Sequence, residues 1–162
     1  MRWGLLVAIG AIAFGIAALF ALLLRVDLSA VRQPGRTGEY LRTRITGIVI
    51  RRRAAREEIP LPPPNRETSM SLSAGKSVYD ADCASCHGPD AHTPTAVGRG
   101  MLPRTVALNS ADVQSYSDRE LFSIIREGIR FMGMPGFAGS ETNEQIWYVV
   151  DYLRSISDRP QN

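Results

Sequence analysis

An all-α fold is what this sequence predicts: a single N-terminal transmembrane helix, a linker, and a domain of short helices wrapped around a body that the polypeptide does not supply. Three observations lead there. Residues 3–24 carry no charge. Capped helical periods recur from Ser71 onward without any strand alternation. Between Gly88 and Tyr116, 29 residues rich in Gly, Pro and Thr hold no periodicity at all, and a domain of about 90 residues with so long a loop lacks a self-sufficient core.

The 162 residues allow one domain plus appendages. With 44% hydrophobic and 22% charged residues and only 2 Cys, the chain is globular, which excludes collagen, coiled coil and disulfide scaffold. Charge is unevenly divided. Through Glu67, 11 Arg face 5 acids; from Thr68 onward Lys76 and 7 Arg face 11 acids, a balance of −3. The basic half is also the half without a core, so nucleic-acid binding is not the natural reading.

Residues 1–25 are expected to form the anchor. The run from Trp3 to Leu24 would rise about 33 Å as a helix, enough to cross a bilayer. A cleaved signal peptide would have a shorter apolar stretch and a small-residue cleavage site, and Leu28-Ser29-Ala30 offers none. Gly4, Gly10 and Gly15 give the helix a small-residue face. Residues 26–70 are expected to be a basic juxtamembrane segment and Pro-rich linker. Leu41, Ile45, Ile48, Ala55 and Ile59 share one helical face that suits a lipid surface, with a solvated basic linker as the alternative. Pro60 to Asn65 then reads as a stiff polyproline-II tether.

Residues 71–158 form the domain. Ser73 to Asp82 has helical spacing. Ser117-Asp118-Arg119-Glu120 is a capping box opening Leu121 to Glu127, with Gly128 as the stop. Thr142-Asn143-Glu144-Gln145 opens a last helix to about Ser157, whose buried side is Ile146, Val149, Val150 and Leu153.

Cys83-Ala84-Ser85-Cys86-His87 is C-x-x-C-H, the attachment signature of haem c. Residues three apart on a helical turn point the same way, so both thiols reach one porphyrin while the adjacent imidazole meets the iron. A covalent haem also supplies the missing core. A zinc site would want four ligands and finds only His92 nearby; a thioredoxin-like dithiol would want a preceding strand; a Cys83–Cys86 disulfide would leave His87 unexplained. A second axial ligand has four candidates: Met101, Met132, Met134 and His92. Met134 is preferred, because Gly133, Pro135 and Gly136 force an extended loop that presents its thioether. Metal ligands are thus expected to be His87 and Met134.

These residues resemble the class I cytochrome c family, in its small, membrane-anchored monohaem form. The resemblance rests on Cys83-x-x-Cys86-His87-Gly88, on Met134-Pro135, and on the helix Ile146 to Leu153; Glu120 to Arg130 looks like the family's penultimate helix. It implies a cytochrome c-like fold in which the first and last helices cross at a small residue beside aromatics, here Gly75, Tyr79 and Tyr152. It further implies a proline carbonyl accepting the His87 Nδ1 proton, with Pro103 the candidate, and arginines such as Arg99, Arg104 or Arg130 near the haem propionates.

His/Met ligation saturates the iron, so the expected function is single-electron transfer between respiratory partners and not catalysis. Expected partners are the membrane and redox proteins such as a respiratory complex, oxidase, reductase or dehydrogenase, and the −3 balance suggests one with a basic docking patch. Alternatives are a haem sensor or peroxidase-like enzyme with a labile distal ligand, and a structural haem subunit of a larger complex. The expected location is the cytoplasmic (inner) membrane, single-pass, with the haem domain on the periplasmic side. The arginines behind the anchor argue for the cytoplasm instead, and haem attachment takes precedence over that charge rule.

Overall fold

Side-chain caps mark where four of the helices begin. The computed structural model describes residues 2–23, 35–130 and 132–157, and it divides into two units, Met1–Arg32 and Gln33–Asn162. The first unit holds helix α1, Arg2–Leu23. The transmembrane expectation is overturned: among the described residues no helix is long and apolar enough to cross a membrane. The expected membrane anchoring, and with it the single-pass inner-membrane location, loses its support.

The second unit contains α2 (Arg36–Arg56), α3 (Ser69–Val78), a π-helical turn (Tyr79–Cys83), α4 (Ala84–His87), α5 (Ala96–Gly100), α6 (Ala111–Gln114), α7 (Asp118–Glu127) and α8 (Asn143–Ser155). Thr68, Ser117 and Thr142 cap α3, α7 and α8, each with a reciprocal bond from the residue three positions on. Gly128, at φ +68°, ends α7 as expected. The long loop is not without structure: it contains α5 and α6, and Leu108 N donates to Ala91 O at 2.8 Å to fold it back on itself.

The architecture turns on the crossing of α3 and α8. Gly75 lies so close to α8 that a Cβ there would meet Tyr148 O at 1.9 Å. The Tyr79 and Tyr152 rings stack beside it, centroids 5.1 Å apart. Below the crossing, Phe122 of α7 packs on Trp147 of α8 at 4.6 Å, and Leu121, Ile125, Ile146, Val149, Val150 and Leu153 complete the core.

Residues 36–67 do not behave as a free tether. Of the face suited to a lipid surface, Leu41, Ile45 and Ile48 are 57%, 53% and 50% exposed and Ile59 is buried, while Ile50 and Ala54, four apart, are 3% and 2% exposed. The buried stripe lies on a different side of α2 and packs on α7. The Pro-rich segment is docked too. Trp147 Nε1 donates to Pro60 O at 3.2 Å, and Arg66 lies over the Trp147 ring at 4.9 Å. Arg66 also binds Asp151, which is 1% exposed, at 2.6 Å and Asp118 at 3.0 Å; Asp118 in turn accepts from Arg154 at 2.8 Å.

Two predictions follow from these contacts. By helix propensity alone Gly75→Ala would stabilise by about 1 kcal/mol. The backbone contact reverses that sign, and thermal melts should show a loss of about 2–3 kcal/mol. For Asp118, burial raises the carboxyl pKa, but hydrogen bonds from Arg154 and Arg66 outweigh it and hold the group below the usual carboxylate range. A pKa depressed on folding stabilises the protein above the unfolded value of about 4, and that contribution is lost as pH falls through the folded value. Denaturation midpoints of wild type and Asp118→Asn should therefore differ fully at pH 6 and converge on acidification below about pH 4.

Candidate functional site

The π-helical turn swings the chain from α3 into α4, so that Cys83, Cys86 and His87 face one apolar cavity. Gly88 stops α4 at φ +86°, and a Cβ there would sit 2.1 Å from Thr93 O. Tyr79 Oη donates to Gly88 O, tying this stop to the helix crossing. Asp90 Oδ1 accepts from the His92 and Thr93 amides at 2.9 and 2.8 Å. Thr95 then reaches back to α4, its amide to Cys86 O at 3.1 Å and its hydroxyl to Ser85 O at 2.7 Å.

The cavity has two adjoining lobes of about 410 and 210 Å³. Cys83, His87, Pro103, Arg104, Val106, Ile129, Met132 and Met134 line both. Cys86 and Met101 line the smaller; Thr43, Thr46 and Ile50 of α2 line the larger, with Ile124, Ile125, Val149 and Leu153. Size, apolar lining and the two thiols beside one imidazole fit a covalently attached haem.

His87 Nδ1 lies 3.0 Å from the carbonyl oxygen of Val106. With its proton held there, Nε2 carries the lone pair that a metal ligand needs. The acceptor differs from the one the resemblance implied: Pro103 is buried in the cavity wall and the carbonyl that meets the ring comes three residues later. Burial lowers the His87 pKa, outweighing the Val106 hydrogen bond that acts to raise it, and so favours the neutral ring with one proton. Burial, then the carboxylates of Asp82 and Glu141, push the Cys83 thiol up to about 12.

The structure brings all five expected site residues, Cys83, Cys86, His87, Pro103 and Met134, to one lobe. Met132 and Met101 are there as well, whereas His92 is exposed and lines neither lobe. The Met134 loop is pinned at its base: Ile129 N donates to Met134 O at 3.0 Å, and Met132 N donates to Ile129 O at 3.1 Å. Gly128 makes this closure possible, since a Cβ there would meet Pro135 C at 2.5 Å and Met134 O at 2.6 Å. Among the candidate arginines, Arg104 lines the cavity; Arg99 is exposed and donates to Pro94 O. Sequence reasoning missed two things. The Val106 carbonyl is backbone and leaves no mark in residue type. The α2 wall was marked by Ile50 and Ala54 at helical spacing, on a different side from Leu41, Ile45 and Ile48.

The family model described as "Cytochrome C oxidase, cbb3-type, subunit III" matches residues 71–153. A quinohemoprotein alcohol dehydrogenase of Pseudomonas putida is 33% identical over 100 residues, covering 62% of this chain and 12% of that protein. Cytochrome c550 of Pseudomonas aeruginosa is 25% identical over 103 residues, 62% of this chain and 66% of its own length. Cytochrome c6 of Microcystis aeruginosa is 27% identical over 86 residues, 52% of this chain and 96% of its length. The chain thus matches less than two thirds of the first two relatives. A chain of a solved Kuenenia stuttgartiensis reducing HAO-like protein complex superposes with a TM-score of 0.54 at 21% identity over 62% of this chain and 49% of that chain, a likeness of fold alone.

Gly98 provides a test of this geometry. A Cβ there would lie 2.2 Å from Cys86 O, whereas one at Gly100 would meet nothing within 4 Å. Gly98→Ala should reduce the haem-to-protein absorbance ratio of purified protein severalfold, with Gly100→Ala matching wild type.

Proposed function

We propose that this chain, which belongs to the c-type cytochrome family, relays single electrons between redox protein partners through an iron held by His87 and Met134. The family assignment makes it a c-type cytochrome and an electron carrier, with covalently bound haem c and its iron. The axial pair and the partners are the finer reading. One observation carries it: the cysteine pair, His87 and Met134 line a single apolar lobe, with the methionine on a loop closed at its base.

Each residue has a distinct task in that reading. Cys83 and Cys86 would hold the group covalently beside α4, and Val106 O orients His87. Met134 would be the second protein ligand to the iron and would keep small ligands out. The apolar walls of Ile124, Ile125, Ile129 and Val149 keep water away, which reduces the rearrangement that an electron's arrival demands. The chemistry the haem supplies is a one-electron change of its iron.

The partners we propose are a dehydrogenase on the donor side and an oxidase or reductase on the acceptor side. Likeness to a segment of a quinohemoprotein dehydrogenase and to an oxidase subunit family supports that choice. A basic partner patch is not part of it. With α2 packed on the domain, the unit Gln33–Asn162 has 16 Lys and Arg against 15 Asp and Glu, a balance of +1, so the −3 of residues 68–162 no longer describes what a partner meets.

The haem-loaded protein should show a weak far-red ferric band of sulfur ligation and no prompt shift when the reduced form meets CO. Met134→Ala should abolish the band, bind CO promptly and lower the midpoint potential, while Met132→Ala keeps the wild-type spectrum. A wild type that binds CO at once would instead favour a sensor or peroxidase-like site.

A further inference from the structure

We infer that α2 is a working wall of the haem site and that its Arg53 is a positioning residue for the Met134 loop; this rests on the reading of Met134 as axial ligand. The helix lies wholly outside the family-matched residues 71–153. Three of its side chains, Thr43, Thr46 and Ile50, nevertheless line the larger lobe.

Arg53 is the polar centre of this contact. Its Nη1 donates to Gly128 O at 3.0 Å, its Nη2 to Ser123 O at 2.9 Å and its Nε to the Ser123 hydroxyl at 3.1 Å. The Ser123 hydroxyl donates to Glu57 Oε2 at 2.7 Å, and Glu57 lies 3.5 Å from Arg53 Nε, so the guanidinium is held from both sides. Ser123 is fully buried. The last carbonyls of a helix have no partner within it; here the Phe137 and Ala138 amides take those of Ile125 and Arg126 at 3.1 and 3.0 Å, and Arg53 takes that of Gly128.

The effect reaches the ligand loop through two adjacent residues. Gly128 is the point where α7 ends and the returning Met134-Pro135-Gly136 backbone is nearest, and Ile129 N donates to Met134 O at 3.0 Å. Fixing the Gly128 carbonyl fixes the direction of the Ile129 amide. Arg53 therefore resists opening of the loop by which Met134 would leave the iron. A segment that looks like a basic linker thereby becomes a control on the sixth coordination position.

The test uses the full haem-loaded chain. Losing a charged hydrogen bond at the base of the loop is expected to raise its open population about tenfold or more. Arg53→Ala should speed CO binding to the reduced protein by that factor and accelerate hydrogen exchange of the Ile129 amide alike, with Ile146 and Val150 of α8 exchanging as in wild type. Arg53→Lys should restore part of both effects. Should Arg53→Ala fail to load haem, Arg53→Gln is read the same way. Unchanged CO binding and Ile129 exchange, or faster exchange spread evenly over α7 and α8, would overturn the proposal. Met134→Ala separates the two ideas: if it still resists CO, the ligand reading falls and takes this link with it; if it binds CO while the Arg53 variants do not, the positioning role alone falls.

Discussion

Everything near the cysteines depends on how closely α3 and α8 approach at Gly75. Only a residue without a Cβ lets the α8 backbone come within van der Waals distance of α3. That closeness brings Tyr79 against Tyr152, and the Tyr79 hydroxyl then meets the Gly88 carbonyl. Gly88 ends α4, so the bond sets where the turn bearing Cys86 and His87 stops. A packing constraint between two helices is thereby converted, through one hydroxyl, into the placement of an attachment site.

The opposite wall is built by a different device. The Met134 loop has few side chains of its own to bury, and its shape comes from backbone meeting backbone at Gly128, Gly136 and Ile129. Such contacts are short in reach and need an external brace. α7 gives one through its buried Leu121, Phe122, Ile124 and Ile125, and α2 gives the other through Arg53. The two walls thus differ in kind: the thiol side is held by aromatic packing, the methionine side by polar contacts at a helix end. Polar contacts at a partly exposed helix end yield more readily than a buried aromatic pair, so local opening is expected to begin on the methionine side.

The sequence was legible where local chemistry determines structure. Capping boxes at Ser117 and Thr142, the stop at Gly128 and the C-x-x-C-H turn each depend on a few adjacent residues, and each stands where those residues point. The crossing at Gly75 was legible through the family resemblance. What failed depended on distant partners. α2 has two faces of comparable apolarity, and only the presence of α7 decides that Ile50 and Ala54 are buried and Leu41, Ile45 and Ile48 are not. The acceptor for His87 could not be read because every residue has a carbonyl, and the path of the loop selects Val106. The first helix formed as its composition required, but helix formation is a weaker statement than membrane crossing.

The docked Pro-rich segment explains why α2 can act on the site at all. A helix joined to its target by a free tether of several residues would spend much of its time away from it. Here the joining segment is itself fastened: Pro60 O accepts from Trp147, Arg66 spans Asp151 and Asp118, and the Glu67 amide donates to Asp151 at 3.1 Å. Asp151 is buried and would be costly without these donors, since removing one partner of a buried ion pair costs about 3–5 kcal/mol. The same acid therefore stabilises α8 and holds the segment that follows α2. The chain between α2 and α3 is short and anchored at both ends, so α2 remains seated on α7 with its arginine at the end of the helix from which the ligand loop departs.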